Sequence, residues 1–288
     1  MKILVTGAYG QLGNEINSLV AKYPDWQFLF TDIDSLDITS ENDLEKWFQY
    51  NQPGFVINCA AYTAVDRAET DIETAEKVNA LAPKLLGKYS KKADAKLVHI
   101  STDYVFDGEA FTPYSENAKV NPKSVYGEAK LQGELNCFKE NPDTIIIRTS
   151  WLYSVFGNNF VKTMLRSGKE RGQLNVVFDQ VGTPTYAADL ASAILEIISI
   201  SAKNPEKFVP GIYHYSNEGV ASWFDFAKAV FEISGTNCNV NPVLSDQFPT
   251  AAKRPNYSVL NKSKVKNVFG ITVPYWRDSL KICIERLK

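Results

Sequence analysis

The residues best placed to do chemistry are Tyr126 and Lys130, in the run Val125-Tyr126-Gly127-Glu128-Ala129-Lys130. The lysine follows the tyrosine by one helical turn, so both side chains project the same way. A free phenol has a pKa of about 10, too high for ready proton exchange at neutral pH. A nearby ammonium favours the phenolate and lowers that value. A tyrosine tuned in this way exchanges a proton with a ketone or alcohol oxygen while a hydride moves at the carbon. In isolation the same pattern describes a packed ring beside a solvated amine. The surrounding motifs separate the two readings.

Gly7, Gly10 and Gly13 form GxxGxxG directly after the apolar run Ile3-Leu4-Val5 and ahead of a helix read from Asn14 to Lys22. Gln11 and Leu12 sit inside that loop. Glycines let the backbone turn tightly and approach a pyrophosphate, and the helix N-terminus offers free N–H groups and a positive dipole end. Asp32 ends a second strand, Gln27 to Thr31, where a carboxylate accepts hydrogen bonds from adenosine ribose hydroxyls. The same charge repels a 2′-phosphate, and no arginine follows closely, so the local chemistry leans to NAD over NADP. Asp37 and Ile38 fit two uses: flanking an adenine, or an ordinary turn at a helix start. The run Asn58-Cys59-Ala60-Ala61-Tyr62-Thr63 ends a third strand, and its small side chains let the backbone pass close to cofactor ribose and phosphates. Ser101-Thr102-Asp103 begins where a fourth strand ends, and ligands of open α/β sheets collect at that edge. Thr102 can hydrogen-bond a carbonyl oxygen beside Tyr126.

These motifs need a frame. Short apolar strands at Phe55–Asn58, Leu97–Ile100 and Thr144–Arg148 alternate with helical stretches at Glu41–Gln49, Asp71–Lys91 and Ser124–Phe138. Pro83 should bend or interrupt the second of these helices. The rhythm predicts an α/β fold, a doubly wound parallel Rossmann sheet with right-handed crossovers. After about residue 150 prolines accumulate and the rhythm loosens. Residues 1–150 read as a dinucleotide-binding core, to which later segments return, and 151–288 as mainly a smaller substrate-binding lobe.

Composition narrows the function classes. The chain has 288 residues, 22% charged, with a net charge of -2. No basic stripe points to nucleic acid, and no apolar run is long enough to span a bilayer. The N-terminus enters strand and glycine loop at once, which leaves no room for a signal peptide, so a cytoplasmic protein is expected. Four scattered cysteines without a CxxC pair suit a reducing compartment. With two histidines and no cysteine cluster, a protein-built metal site is not expected. His99, within Lys96 to Ile100, is expected to be a satisfied core imidazole.

Together GxxGxxG, the NCAAYT run, the STDYVFDG run and YxxxK resemble the extended short-chain dehydrogenase/reductases. More narrowly, the chain resembles the dTDP-4-dehydrorhamnose reductase family. The likeness runs on through Ala64 to Glu69, Arg148 to Tyr153, Gly157 to Lys162, Asp179 to Thr185 and Arg254-Pro255. It covers essentially the full length. The resemblance implies NADPH or NADH as hydride donor and dTDP-4-dehydro-β-L-rhamnose, reduced at C4, as substrate. It implies Tyr126 as proton donor, Lys130 holding the nicotinamide ribose and lowering the tyrosine pKa, and Thr102 tuning the tyrosine. Gly10, Gln11, Leu12, Asp32, Asp37, Ile38, Ala61, Tyr62 and Thr63 would surround the cofactor. Asp103 and Trp151 would contact the sugar nucleotide, and Arg254 its diphosphate. From the residues alone, Trp151 equally fits a core position and Arg254 a surface ion pair. Some members dimerise through magnesium held by glutamates; Glu15 fits the first position, but the segment near Asp189 does not repeat the pattern, so monomer and homodimer both remain open.

Related enzymes are the nearest rivals. A dehydratase needs a second acid after Thr102-Asp103, and Tyr104 stands there. Epimerases typically carry a hydroxyl-rich SxxVYG run at this point, which Thr102-Asp103-Tyr104-Val105-Phe106 is not. Another 4-keto-6-deoxysugar reductase would share every motif. A non-catalytic dinucleotide-binding subunit of the same lineage would not need Tyr126, Lys130 and Thr102 together.

Overall fold

Six strands build the centre of the molecule: Lys2–Thr6 (β1), Gln27–Thr31 (β2), Phe55–Asn58 (β3), Lys96–Thr102 (β4), Thr144–Thr149 (β5) and Gly211–His214 (β6). In the computed structural model, which describes residues 1–288, they form one sheet in the order β6-β5-β4-β3-β1-β2. Every pairing is parallel. β3 and β5 are buried at every position. Such runs, without polar alternation, are what a sheet covered on both faces requires.

The main helices are Gln11–Asn17 (α1), Glu41–Asn51 (α2), Ala82–Lys92 (α3), Val125–Glu140 (α4), Phe160–Arg171 (α5), Ala187–Lys203 (α6), Trp223–Ser234 (α7) and Trp276–Leu287 (α8). Side chains alternate along each strand, and the two faces make separate cores. Ile3 and Val5 face Leu12 and Ile16 of α1 and Ile194, Leu195 and Ile198 of α6. Leu4, between them, faces Leu44 and Phe48 of α2 and Leu85 and Leu86 of α3.

Local chemistry sets the helix starts. Ser124 accepts a hydrogen bond from the Gly127 amide at 3.2 Å and opens α4. Asn159 accepts from the Lys162 amide at 3.1 Å and opens α5. Each side chain satisfies an amide that the first turn leaves without a partner. The helical stretch expected from Asp71 to Lys91, bent or interrupted at Pro83, consists of Ile72–Glu76, a π turn at Lys77–Leu81, and α3. Pro83 lies in the first turn of α3, and the irregularity precedes it. The π turn turns buried Asn79 onto the backbone of Tyr62, accepting from its amide at 2.9 Å and donating to its carbonyl at 3.0 Å.

The chain returns to the sheet after residue 150 through α6 and β6, and again through Val265, Phe269, Ile271 and Val273, which join the first of these cores. A separate apolar cluster forms around α5, α7 and α8. There Gln173–Val177 pairs in parallel with Asn239–Val243. Glu15, only 1% exposed, ties the two parts together. Its carboxylate accepts from Ser154 Oγ at 2.6 Å and from Arg286 Nη1 at 2.9 and 3.1 Å. A guanidinium therefore supplies the positive charge beside the glutamate that the sequence marked as a first magnesium position. No helix is long and apolar enough to cross a membrane, and all four cysteines are free.

Candidate active site

The carboxyl ends of β1, β2 and β3 open onto a cavity of about 340 Å³. Gly7, Gly10, Asp32, Ile38, Ala60 and Ala61 are among its lining residues. It lies where the strand order reverses, the position at which doubly wound sheets bind nucleotides. Gly7 has φ +67°, and a Cβ there would meet the Ala60 backbone nitrogen at 2.6 Å. Only glycine permits this approach. No side chain caps the first turn of α1, so its leading amides are left for a ligand. The donor set and the cavity thus fit a dinucleotide.

The remaining sequence-marked residues of this group divide by position. Leu12, 4% exposed, points into the core, so only its backbone faces the loop. Gln11 accepts from Asn159 Nδ2 at 3.1 Å, a link to the smaller lobe. Gly13 packs beneath the Gly7 carbonyl. Asp32 accepts from the Tyr9 amide and the Ile33 amide, each at 2.9 Å. One oxygen of Asp37 accepts from both the amide and the hydroxyl of Thr39, at 2.8 and 2.6 Å, the turn arrangement of the two considered. Tyr62 donates its hydroxyl to Asp71 at 3.0 Å, and Thr63 is exposed.

At the end of β4 the catalytic candidates converge. Tyr126 (8% exposed) and Lys130 (2%) lie one turn apart on α4. The Lys130 ammonium donates to the Ile100 carbonyl at 2.7 Å. Burial pushes its pKa down to about 8, while Glu134, one turn further on, pulls it up. Cys59, from the nucleotide cavity, is close enough to feel the same ammonium, so the two halves of the site adjoin. Tyr126 packs among Ala68, Ala75 and Tyr104, with the Tyr104 ring edge-on at 5.5 Å. Burial pushes the Tyr126 phenol up to about 12; the Thr102 hydroxyl works against that rise, and the Asp103 charge adds to it. This differs from the expectation that Lys130 lowers the phenol. Desolvation outweighs every other influence on the phenol, and the group that opposes it is Thr102.

Thr102 caps the turn Asp103–Val105, accepting from the Tyr104 amide at 3.2 Å and donating to Asp103 Oδ1 at 3.0 Å. Asp103 is 2% exposed. Burial raises its pKa to about 6, opposed first by Ser258 and then by Thr102. Ser258 reaches this point from the C-terminal segment by pairing its amide with the Val181 carbonyl at 2.8 Å. It carried no sequence signal; its neighbours do not form a recognisable motif.

Trp151 follows β5 in a left-handed conformation, φ +47°. Its ring stacks on Trp223 at 3.6 Å and 7°. A Cβ on Gly182 would meet that ring at 2.7 Å and Ser258 Oγ at 2.7 Å, so Gly182, Trp151, Ser258 and Asp103 form one continuous wall. Arg254 is committed to Asp66 in a two-pronged ion pair, at 3.0 and 2.6 Å. Asp66 belongs to the one-turn helix Val65–Ala68, so the pair spans from the nucleotide-binding half to the C-terminal segment. It lies beside Tyr104, whose phenol feels both charges.

The comparisons agree with this geometry. A family model described as "RmlD substrate binding domain" matches residues 1–288. A dTDP-4-dehydrorhamnose reductase of Aggregatibacter actinomycetemcomitans is 39% identical over 287 residues, 97% of each chain. The crystal structure of a dTDP-4-dehydrorhamnose reductase from Clostridium acetobutylicum is 44% identical with a TM-score of 0.94, covering 100% of this chain and 99% of that one. A Bacillus anthracis dTDP-4-dehydrorhamnose reductase, solved in complex with NADP, is 38% identical with a TM-score of 0.93, covering 99% of each. This chain belongs to the dTDP-4-dehydrorhamnose reductase family, oxidoreductases built on a doubly wound α/β sheet.

Proposed function

We propose that the protein reduces the C4 keto group of dTDP-4-dehydro-β-L-rhamnose to dTDP-L-rhamnose with NADPH or NADH, with Tyr126 as the proton donor. The observation that carries this reading is the buried Tyr126 phenol at the end of β4, flanked by the Thr102 hydroxyl and by Lys130 one turn on. When bound, the nicotinamide would supply the hydride. Gly7, Gly10, Ala60 and Ala61 would hold the phosphates and ribose, Asp32 the adenosine ribose, and Ile38 the adenine face, since all line one cavity.

The chain's own residues do the proton chemistry. Thr102 and Tyr126 donate hydrogen bonds to the carbonyl oxygen. As the oxygen becomes an alkoxide, the Tyr126 O–H bond breaks and its proton moves to that oxygen. A phenol raised by burial stays protonated at neutral pH, so it is loaded before the reaction begins. Lys130 leaves the Ile100 carbonyl or shares itself with the nicotinamide ribose, and its charge then offsets the phenolate. Trp151 presents a ring face to the sugar. Arg254 exchanges one or both contacts with Asp66 for the diphosphate, a pairing its planar fork suits. The product would supply a rhamnose donor for surface polysaccharide, made in the cytoplasm.

The test is NADH and NADPH oxidation with a dTDP-4-keto-6-deoxy sugar, with and without the preceding epimerase. Consumption only of the epimerised sugar supports the assignment. Turnover without the epimerase points to a related deoxysugar reductase, and cofactor binding without any turnover points to a non-catalytic subunit.

A further inference from the structure

Two of the five tryptophans in the chain meet at the wall of the site. The Trp151 and Trp223 rings lie 3.6 Å apart between centroids and 7° from parallel. Trp223 therefore covers one face of Trp151, and a ligand can meet only the other face or the ring edge. Neither ring is fully buried, and both pack onto the apolar cluster around α5, α7 and α8.

Trp151 has a left-handed backbone, φ +47°. Residues other than glycine persist in that region where the surroundings over-determine the geometry, and such places cluster at functional sites. Here the surroundings can be named. The Trp151 carbonyl accepts from the Thr185 amide at 3.1 Å. The preceding Ser150 hydroxyl donates to the Thr183 carbonyl at 2.8 Å. Gly182 leaves the ring its space, since a Cβ there would stand 2.7 Å from Trp151 Cε2. Backbone contacts fix where the side chain starts and not the tilt of the indole plane; the ring stacked on it does that.

Trp223 is itself firmly seated. It is the first residue of α7, and Ser222 ahead of it forms a capping box with Asp225. The Asp225 amide donates to Ser222 Oγ at 3.0 Å, and the Ser222 amide donates to Asp225 Oδ2 at 2.9 Å. Ala221 and Ser222 pair antiparallel with Gly182 and Val181. The glycine that clears the ring and the segment that carries its partner thus share one ladder. Behind, the Trp223 ring packs on Phe160 at 4.7 Å, and Phe160 stacks on Phe226 at 5.3 Å. One aromatic column runs from the core of this part of the molecule to the wall that holds Ser258 and Asp103.

We propose that Trp223 is a positioning residue for the sugar nucleotide: its ring fixes the plane that Trp151 turns to the sugar, and so sets substrate affinity without touching the substrate. The proposal rests on Trp151 contacting the sugar. An indole already held on one face loses little freedom when a ligand docks on it, which lowers the entropic cost of binding. A fixed plane also gives the sugar one orientation toward Thr102 and Tyr126. The nucleotide cavity shares no lining residue with the stack, so the effect is confined to the sugar side.

Far-UV circular dichroism reads the stack itself. Two indoles this close give an exciton couplet, which Trp151→Phe and Trp223→Phe should each abolish. Initial rates with NADPH and the epimerised keto sugar read the consequence. Trp223→Leu should raise KM for the sugar nucleotide by about two- to tenfold, the range an aromatic pair contributes. It should lower kcat by less and leave NADPH affinity at the wild-type value. Trp223→Phe keeps a ring face and should recover most of that KM. A purely structural role would lower Tm and leave KM in place. Gly182→Ala acts on the stack without altering Trp223: its Cβ displaces the Trp151 ring and should weaken the couplet and raise KM together. It carries the test should Trp223→Leu not fold. A Trp223→Leu enzyme with wild-type KM overturns the proposal, and so does one whose NADPH affinity falls in step with its sugar affinity. Gly182→Ala with a weakened couplet and an unchanged KM overturns it as well. Trp151→Ala separates the two layers. If it raises KM and Trp223→Leu does not, the positioning role alone fails. If it leaves KM unchanged, the sugar contact fails and the positioning role with it.

Discussion

Arg148→Met should be among the most damaging substitutions outside the ligand-contacting residues. Arg148 and Glu134 are each 2% exposed at their side chains. Arg148 donates from Nε at 2.8 Å and from Nη2 at 2.6 Å to the two carboxylate oxygens. Removing one partner of such a pair leaves a buried charge uncompensated, which costs about 3–5 kcal/mol. Ser101 Oγ, 2.5 Å from Glu134 Oε1, softens the loss but cannot neutralise it. With an unfolding entropy of about 2.1 cal/mol/K per residue, a chain of 288 residues should lose roughly 5–8 °C in Tm. The double variant Glu134→Gln/Arg148→Met removes both charges and should recover more than half of that loss, because the neutral amide leaves no uncompensated buried charge and can still accept from Ser101. Thermal and urea unfolding of the three proteins measure it. A single-variant loss within about 1 kcal/mol, or a double variant worse than the single, refutes the reasoning. The site feels the pair as well: Glu134 lies one turn beyond Lys130 and holds its pKa up, so Glu134→Gln should let Lys130 lose its proton at lower pH.

Other outcomes follow from the same geometry. Gly7→Ala places a Cβ 2.6 Å from the Ala60 nitrogen at φ +67°, and should abolish dinucleotide binding in a fluorescence titration while lowering Tm. Asp32→Ala removes the carboxylate that repels a 2′-phosphate, and should shift the kcat/KM ratio toward NADPH by several-fold. Arg254→Ala should raise KM for the sugar nucleotide and leave KM for the cofactor within twofold, read by initial rates. His214 is fully buried and neutral, its pKa pushed down to about 3 by burial and by Arg148. Because the unfolded chain protonates near 6.5 and the folded chain does not, stability is present above 6.5 and lost as pH falls below it. The loss is about 1.4 kcal/mol per pH unit, measured by urea unfolding at pH 6.5 and 5, and His214→Gln should remove that share.

Local pattern and distant pairing were not equally legible. The glycine loop, the ends of β1 to β4, and the one-turn spacing of Tyr126 and Lys130 are written in contiguous residues, and the sequence places them by periodicity alone. Ile212 to Tyr215 reads as a short strand, but the pairing of Gly211–His214 with β5 depends on contacts 66 residues away, which no window reveals. The same holds for Ser258 beside Asp103, Trp223 under Trp151, and Arg286 on Glu15. Each joins segments more than seventy residues apart. The π turn that aims Asn79 at Tyr62 escaped for another reason: its sequence, Lys77-Val78-Asn79-Ala80-Leu81, is unremarkable for a helix. The phenol's environment is not legible in the sequence, because spacing reports the neighbouring lysine and not the burial that dominates it.

The central claim is that the Tyr126 phenol supplies the proton at the reduced carbonyl. Tyr126→Phe keeps the ring, its packing against Ala68 and Ala75, and the nucleotide cavity. Its kcat should fall by about 10²–10⁴-fold in NADPH-dependent reduction of the epimerised keto sugar, with NADPH binding within a few-fold of wild type. A kcat within threefold of wild type would contradict it.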